Sequence, residues 1–299
     1  MQQGDFDTAF GRSELNAQGH LSIGGQEHMY LEGQVSMAIN DEEDRVLVYT
    51  SSQHPSEVQK LIAEVLGCKL HKVVVDMRRM GGGFGGKETQ AAQWACIAAL
   101  LAKRNQCAVK LRLPRMQDMI ATGKRHPFEN SYQVGFNQEG LIKAADIDIN
   151  GNCGHSPDLS DAIVDRAMFH CDNGYYLENV NVAGHRCRTN QVSHTAYRGF
   201  GGPQGMIVAE AMMDAIARKV GKDPLTVRKL NLYGDKERNL TPYGMTVEHN
   251  LLGDLIARLE ASSDYWARRE AITQFNKTSP IVKKGLSLTP VKCGISFTA

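Results

Sequence analysis

The run Gly81-Gly82-Gly83-Phe84-Gly85-Gly86-Lys87-Glu88 sets five glycines around one phenylalanine and ends on a cation and an anion. Glycines let backbone N–H groups approach a ligand closely, and a helix starting just beyond adds the positive end of its dipole toward an anion or oxo group. The spacing satisfies Gly-x-Gly-x-x-Gly and, as far as Lys87, the phosphate-loop pattern. Both nucleotide readings weaken on inspection. A phosphate loop needs a hydroxyl after its lysine to ligate Mg2+, and Glu88 stands there instead. A dinucleotide fold wants an acid about 20 residues further on to hold a ribose, where the chain reads Lys103-Arg104-Asn105. Phe84, with glycines on both sides, has no shelter from its neighbours. It either plugs a core or is held by the loop beside a bound ligand; a tight turn with a packing phenylalanine is the simpler alternative.

Thr195-Ala196-Tyr197-Arg198-Gly199-Phe200-Gly201-Gly202-Pro203-Gln204 repeats this design: arginine, aromatic, paired glycines, then a helix start. Two such loops in one chain imply a shared polar ligand. Taken alone, Arg198 reads as a surface arginine in a salt bridge; beside a second glycine-rich helix entrance it reads as a site residue.

The elements that must position these loops alternate strand and helix. Arg45 to Thr50 reads as a strand, Pro55 to Leu66 as a helix ended by Gly67, and His71 to Met77 as a second strand. An alanine-rich helix from Glu88 to Arg104 leads to a strand from Cys107 to Leu113. The stretches Tyr132 to Phe136 and Leu141 to Ile149 read as a hairpin turning at Gly140. Further helices are expected from Leu159 to Phe169, Gln204 to Val220, and Asp223 to about Tyr233, with a strand near Val180 to Arg186. Leu251 to Phe275 is helical and more polar, with Tyr265 and Trp266 as anchors, and Gly285 to Thr298 reads as strand. This order predicts an α+β fold of mixed α/β layers rather than a bundle or sandwich.

The 299 residues carry 34 basic and 33 acidic side chains and are 42% hydrophobic, enough to bury one or two cores. A formal charge of +1 gives no basic field for a nucleic-acid partner. No stretch approaches the roughly 20 apolar residues of a membrane span, and the start lacks a signal-peptide pattern, so a cytoplasmic protein is expected. Seven cysteines without a Cys-x-x-Cys pair read as ordinary buried thiols rather than disulfides or a thiolate metal site.

At its two glycine loops the sequence resembles the molybdenum-binding subunit of xanthine dehydrogenases, within the wider xanthine dehydrogenase and aldehyde oxidase family. The likeness runs in order through Gly24 to Glu32, Met80 to Glu88, Gly123 to Phe128, Asp165 to His170, Thr195 to Gln204 and Gly294 to Thr298, covering essentially the whole chain. It implies a molybdopterin-binding domain of that type. Molybdenum would be held by the pterin dithiolene, with Gln53, Phe84 and Arg198 in its outer shell and Gly82 and Gly83 against the cofactor. Glu88, Arg166, Phe200, Phe297 and Thr298 would contact substrate, the two phenylalanines sandwiching a flat heterocycle and Glu88 and Arg166 addressing its polar edges. Without the resemblance, Arg166 on a helix reads as a solvated or salt-bridged residue. The Glu88 and Arg166 pair points to purines rather than aldehydes within the family.

The implied activity is oxidative hydroxylation of hypoxanthine or xanthine to urate with water-derived oxygen. Electrons would leave through 2Fe-2S clusters and FAD to NAD, in other domains or partner subunits of a homo-oligomeric enzyme. The general-base carboxylate of the family lies beyond the matching region, so no catalytic residue is assigned here. On this reading, residues 1–250 form the first cofactor-binding domain, and 251–299 a helical connection and first strand of a truncated second one. The chain is then a fragment of the molybdenum subunit, catalytically silent alone. The alternatives are a noncatalytic interaction or regulatory remnant of the fold, an aldehyde-oxidising member, and nucleotide binding through the Gly81 loop.

Overall fold

The structure is a computed structural model that describes residues 1–294. The expected substrate contacts Phe297 and Thr298 lie outside the described residues. In chain order the elements are β1 (Gln2–Gln3), α1 (Phe6–Gly11), β2 (Leu15–Ile23), β3 (Val35–Asp41), β4 (Arg45–Thr50), α2 (Pro55–Leu66) and β5 (Val73–Asp76). There follow α3 (Gln90–Asn105), β6 (Val109–Arg112), α4 (Arg115–Ala121), β7 (Phe128–Phe136), β8 (Ile142–Gly154), α5 (Ser160–His170) and β9 (Val180–Arg188). The last four are α6 (Gly202–Val220), α7 (Pro224–Asn231), α8 (Leu252–Ser262) and α9 (Tyr265–Thr278).

The strands form two sheets, one ordered β1-β9-β8-β7-β2 and one ordered β5-β4-β3-β6. In the first, β2 lies antiparallel to β7 from Leu15 opposite Phe136 to Ile23 opposite Phe128, so the chain between them is an inserted unit. A bridge between Gln26 and Arg125 closes its neck. The inserted unit holds the second sheet, where β4 and β5 run parallel, joined by α2, as a right-twisted strand–helix–strand connection requires. Its core packs Val46, Val48 and Val73 against Val58 and Ile62 of α2 and Ala95 and Ala99 of α3. Alanines along α3 are what let that helix lie close on the sheet; six of them are buried. The larger core sets Phe128, Ile147 and Ile149 of the first sheet against Ile163 and Val164 of α5 and Val208 and Met212 of α6. A third cluster ties α8 and α9 to α7 through Leu225, Ile256, Tyr265 and Leu288.

Most expected elements stand where the patterning puts them. Gly67 caps α2 at φ 61°, and Gly140 takes φ 90° in the hairpin turn. Four expectations need correction. Residues 285–294 form no strand; their backbone partners are side chains, described below. The helical stretch from Leu251 to Phe275 is two helices, broken where Asp264 adopts φ 50°. Of its two expected anchors Tyr265 is buried and donates to Asp223 (3.0 Å), whereas Trp266 lies largely exposed. Among the cysteines, which are all free, Cys153 and Cys171 are buried, but Cys107, Cys187 and Cys293 are exposed.

The contact of α5 with α6 depends on missing side chains. A Cβ on Gly205 would lie 2.1 Å from the Ala167 carbonyl oxygen, and one on Gly201 2.0 Å from that of Ile163. Gly205→Ala should therefore lower stability by roughly 2–4 kcal/mol in urea unfolding. Gly253→Ala, in helix α8 with nothing within 4 Å of the new methyl, should stay within about 0.5 kcal/mol of the parent.

Candidate functional site

The first glycine loop belongs to the inserted unit, between β5 and α3. Phe84 sits in the left-handed region at φ 55°, between Gly82 at φ 100° and Gly85 at φ 101°. Its ring is half exposed, so it does not plug the core. Gln53, in the turn from β4 to α2, holds the loop's shape. Its Oε1 accepts from the N–H groups of Gly85 (2.8 Å) and Lys87 (3.3 Å), and its own N–H donates to the Lys87 carbonyl (2.8 Å). A Cβ on Gly83 would fall 2.4 Å from that same Oε1. With the acceptor end so engaged, what Gln53 retains for a ligand is its NH2 donor. The expectation that a helix starts at once and aims its free N–H groups outward is corrected here. Helix α3 begins only at Gln90, and two N–H groups of the loop are spent on Gln53.

Lys87 turns inward. It is 0% exposed, and its ammonium donates to the Glu32 carbonyl (2.7 Å) and Ser51 Oγ (2.8 Å) and pairs with the Glu32 carboxylate (3.3 Å). Burial lowers its pKa, opposed by the nearby Glu32 charge. Glu32 also accepts from Gly81 N–H (2.8 Å), so this pair is the floor of the loop. A lysine so committed has no phosphate to reach, which removes the nucleotide reading of the Gly81 run.

The second loop reaches α6 from the other unit. Phe200 takes φ 48° between Gly199 at φ 97° and Gly201 at φ 91°. The two loops touch backbone to backbone: Arg198 N–H donates to the Phe84 carbonyl (2.9 Å), and a Cβ on Gly85 would lie 2.6 Å from the Ala196 carbonyl oxygen. Asp158 ties them again, accepting from Thr89 Oγ1 (2.8 Å) and Thr195 Oγ1 (2.7 Å). Behind the second loop, Arg125 donates to the Arg198 carbonyl (2.7 Å) and lies over the Tyr197 ring at 3.9 Å.

Between the loops opens a cavity of about 300 Å3 lined by Gln53, Phe84, Glu88, Arg166, Arg198 and Phe200, with backbone of Gly85 and Gly199. A hollow of about 520 Å3 along the open face of the four-stranded sheet is larger, so size does not single this cavity out; its residues do. Glu88 lies partly buried, and burial first, then the charges of Asp158 and Glu57, raises its pKa against the opposing His54. Arg166, on α5, donates to the Gly294 carbonyl (2.8 Å). Burial holds His126 at a pKa of about 3 and His194 at about 4, so the wall behind the second loop carries no imidazolium at neutral pH.

The structure thus brings Gln53, Gly83, Phe84, Glu88, Arg166, Arg198 and Phe200 to one place, although they come from four separate stretches of chain. Gly82 lies on the same loop, its missing Cβ facing the Phe84 ring at 3.1 Å. Sequence reasoning assigned no role to Glu32, Arg125 or Asp158, the residues that hold the loops in position. Glu32 and Arg125 fall inside stretches that carried the resemblance, which was the available signal; Asp158 gave none.

Comparison with known proteins identifies the family. The profile of the molybdopterin cofactor-binding domain family matches residues 1–232, and the chain belongs to that family. It is 40% identical over 298 residues to a xanthine dehydrogenase of Dictyostelium discoideum, covering 100% of this chain and 22% of that protein. A nicotinate hydroxylase of Emericella nidulans is 40% identical over 286 residues, covering 95% and 21%. The aldehyde oxidoreductase of Desulfovibrio gigas superposes with a TM-score of 0.82 at 27% identity, covering 94% of this chain and 30% of that one. The chain therefore spans about a fifth of the length of its curated relatives. Its site fits a pterin-held metal. Gln53 and Arg198 line the cavity with donors rather than ligating anions, and among the described residues no three His, Cys, Asp or Glu converge on a metal position. Among the described residues no helix is long and apolar enough to cross a membrane.

Because the folded-state pKa of Glu88 is raised, the protein favours its protonated form, and the stabilisation this gives is lost as pH rises through the folded pKa. Glu88→Gln should raise Tm at pH 7 by about 1–3 °C, and the gap to the parent should close as pH falls. A gap that widens toward low pH would contradict the burial of Glu88.

Proposed function

We propose that this chain builds one wall of the active site of a molybdenum hydroxylase that acts on purines. The observation that carries the reading is the placement of Glu88, Arg166 and Phe200 in the same cavity as Gln53, Phe84 and Arg198. When bound, molybdopterin supplies molybdenum and its two-electron redox chemistry. The chain's residues do the rest of what is assigned here. Gln53 NH2 and Arg198 donate toward the oxygens of the cofactor, and the Phe84 loop fixes its approach. Phe200 offers a ring face to a flat heterocycle. Glu88, whose pKa burial raises, addresses a ring nitrogen or oxygen. Arg166 stabilises negative charge that builds on a purine oxygen as the ring is attacked.

On this proposal residues 251–299 are the start of a second cofactor-binding portion, and the general base, further cofactor contacts, 2Fe-2S and FAD groups and the oligomer interface belong to the rest of the enzyme. Without those groups the chain alone is silent. A second reading, an aldehyde-oxidising enzyme, draws on the likeness to the Desulfovibrio protein. It would leave Glu88 and Arg166 without a polar heterocycle to address.

The test is made in the complete, cofactor-loaded enzyme. Glu88→Val with Arg166→Tyr should lower kcat/KM for xanthine by at least roughly tenfold more than for an aromatic aldehyde, about 1.4 kcal/mol of selective transition-state binding. The 299-residue chain assayed alone should show no turnover. Equal losses on both substrates would remove the purine assignment.

A further inference from the structure

Residues 290–294 belong to no strand, yet every second residue is gripped by a polar side chain from the end of α5 or the turn after it. The Pro290 carbonyl accepts from Asn173 Nδ2 (2.9 Å), and Lys292 N–H donates to Asn173 Oδ1 (3.0 Å). Gly294 N–H donates to His170 Nε2 (3.3 Å), and the Gly294 carbonyl accepts from Arg166 Nη2 (2.8 Å). The segment is thus paired as a strand would be, with side chains in place of a neighbouring strand.

Two features make this pairing specific. His170 Nδ1 bonds the Arg166 carbonyl (2.7 Å), which places the proton on Nδ1 and leaves Nε2 as the acceptor that Gly294 needs. Burial lowers the His170 pKa and so favours this neutral form. Lys292 supplies the anchor. Its ammonium lies 2.5 Å from both oxygens of Asp172, which is 1% exposed, and 3.2 Å from Tyr243 Oη. Tyr233 also donates to Asp172. Among the described residues Lys292 is the one cationic partner of this buried carboxylate, and losing it would leave the charge uncompensated, so the segment is fixed in register at Lys292.

We propose that Lys292 is a positioning residue for substrate selection: locked onto Asp172, it holds the Gly294 carbonyl against Arg166 and so sets the direction in which that guanidinium meets the cavity. Arg166 lines the cavity with one part and binds the segment with another, so a change in the segment's register moves the cation that faces substrate. This rests on the reading of Arg166 as a substrate contact. Lys292 itself is not among the residues that line the cavity.

Two measurements separate the clasp from that reading. In the 299-residue chain, amide hydrogen exchange should show Gly294 protected in the parent and exchanging at least about tenfold faster in Lys292→Met, with α6 amides unchanged. In the complete, cofactor-loaded enzyme, the same substitution should lower kcat and kcat/KM for xanthine roughly tenfold while the constants for an aromatic aldehyde stay within about twofold. Asn173→Ala, which removes the grips on Pro290 and Lys292 and one hydrogen bond to Glu210 but leaves the Lys292–Asp172 and Arg228–Glu210 pairs in place, should give the same substrate-selective loss and serves if Lys292→Met fails to fold. Unchanged Gly294 exchange would overturn the clasp. Equal losses on both substrates would show a merely structural role and overturn the proposal. A parent enzyme that oxidises no purine would sink the Arg166 reading while leaving the exchange result to decide the clasp.

Discussion

Everything at this site depends on two loops from different units meeting with no side chain between them. The Arg198 N–H to Phe84 carbonyl bond and the approach of Gly85 to Ala196 leave room for backbone alone. Phe84 and Phe200 pay for that closeness by adopting left-handed backbone, at about 1–2 kcal/mol each for a non-glycine residue. The strain persists because the surroundings over-determine it: Gln53 holds one loop, Arg125 the other, and Asp158 both. Each aromatic is thereby fixed at the cavity rather than free to collapse into a core.

The topology explains why such a meeting exists. Pairing of β2 with β7 makes the unit between them an insertion, so its glycine loop is carried across to the loop entering α6. Charges are divided accordingly. Lys87 with Glu32 under the first loop, and Arg228 with Glu210 and Asp214 beside α6, are spent on the scaffold. Glu88, Arg166 and Arg198 remain at the cavity.

Much of this was legible in the sequence where local physics decides. Helix α2 begins at Pro55 and stops at Gly67 because proline suits a first turn and glycine a left-handed cap, and the hairpin turns at Gly140 for the same conformational reason. The glycine loops announced a close approach, though not to what. What failed was decided by distant partners. Strand β2 mixes Gln18, Gly19 and His20 among its apolar positions, and only its pairing with β7 makes it a strand. Residues 285–294 look like a strand, but Asn173, His170 and Arg166 hold the last five of them through side chains more than 100 positions away. Lys87 matched a phosphate-loop lysine by spacing alone, and the carboxylate that claims it, Glu32, lies on a separate stretch of chain.

The closeness of the two loops is tested most directly by the molybdenum content of the complete enzyme carrying Gly85→Ala, purified beside its parent, with far-ultraviolet circular dichroism confirming that both are folded. A methyl at this position must push the Ala196 carbonyl away and open the seam between Phe84 and Arg198. The account predicts near-stoichiometric molybdenum in the parent and loss of most of it from the variant. Parental metal content in a folded Gly85→Ala enzyme would contradict it.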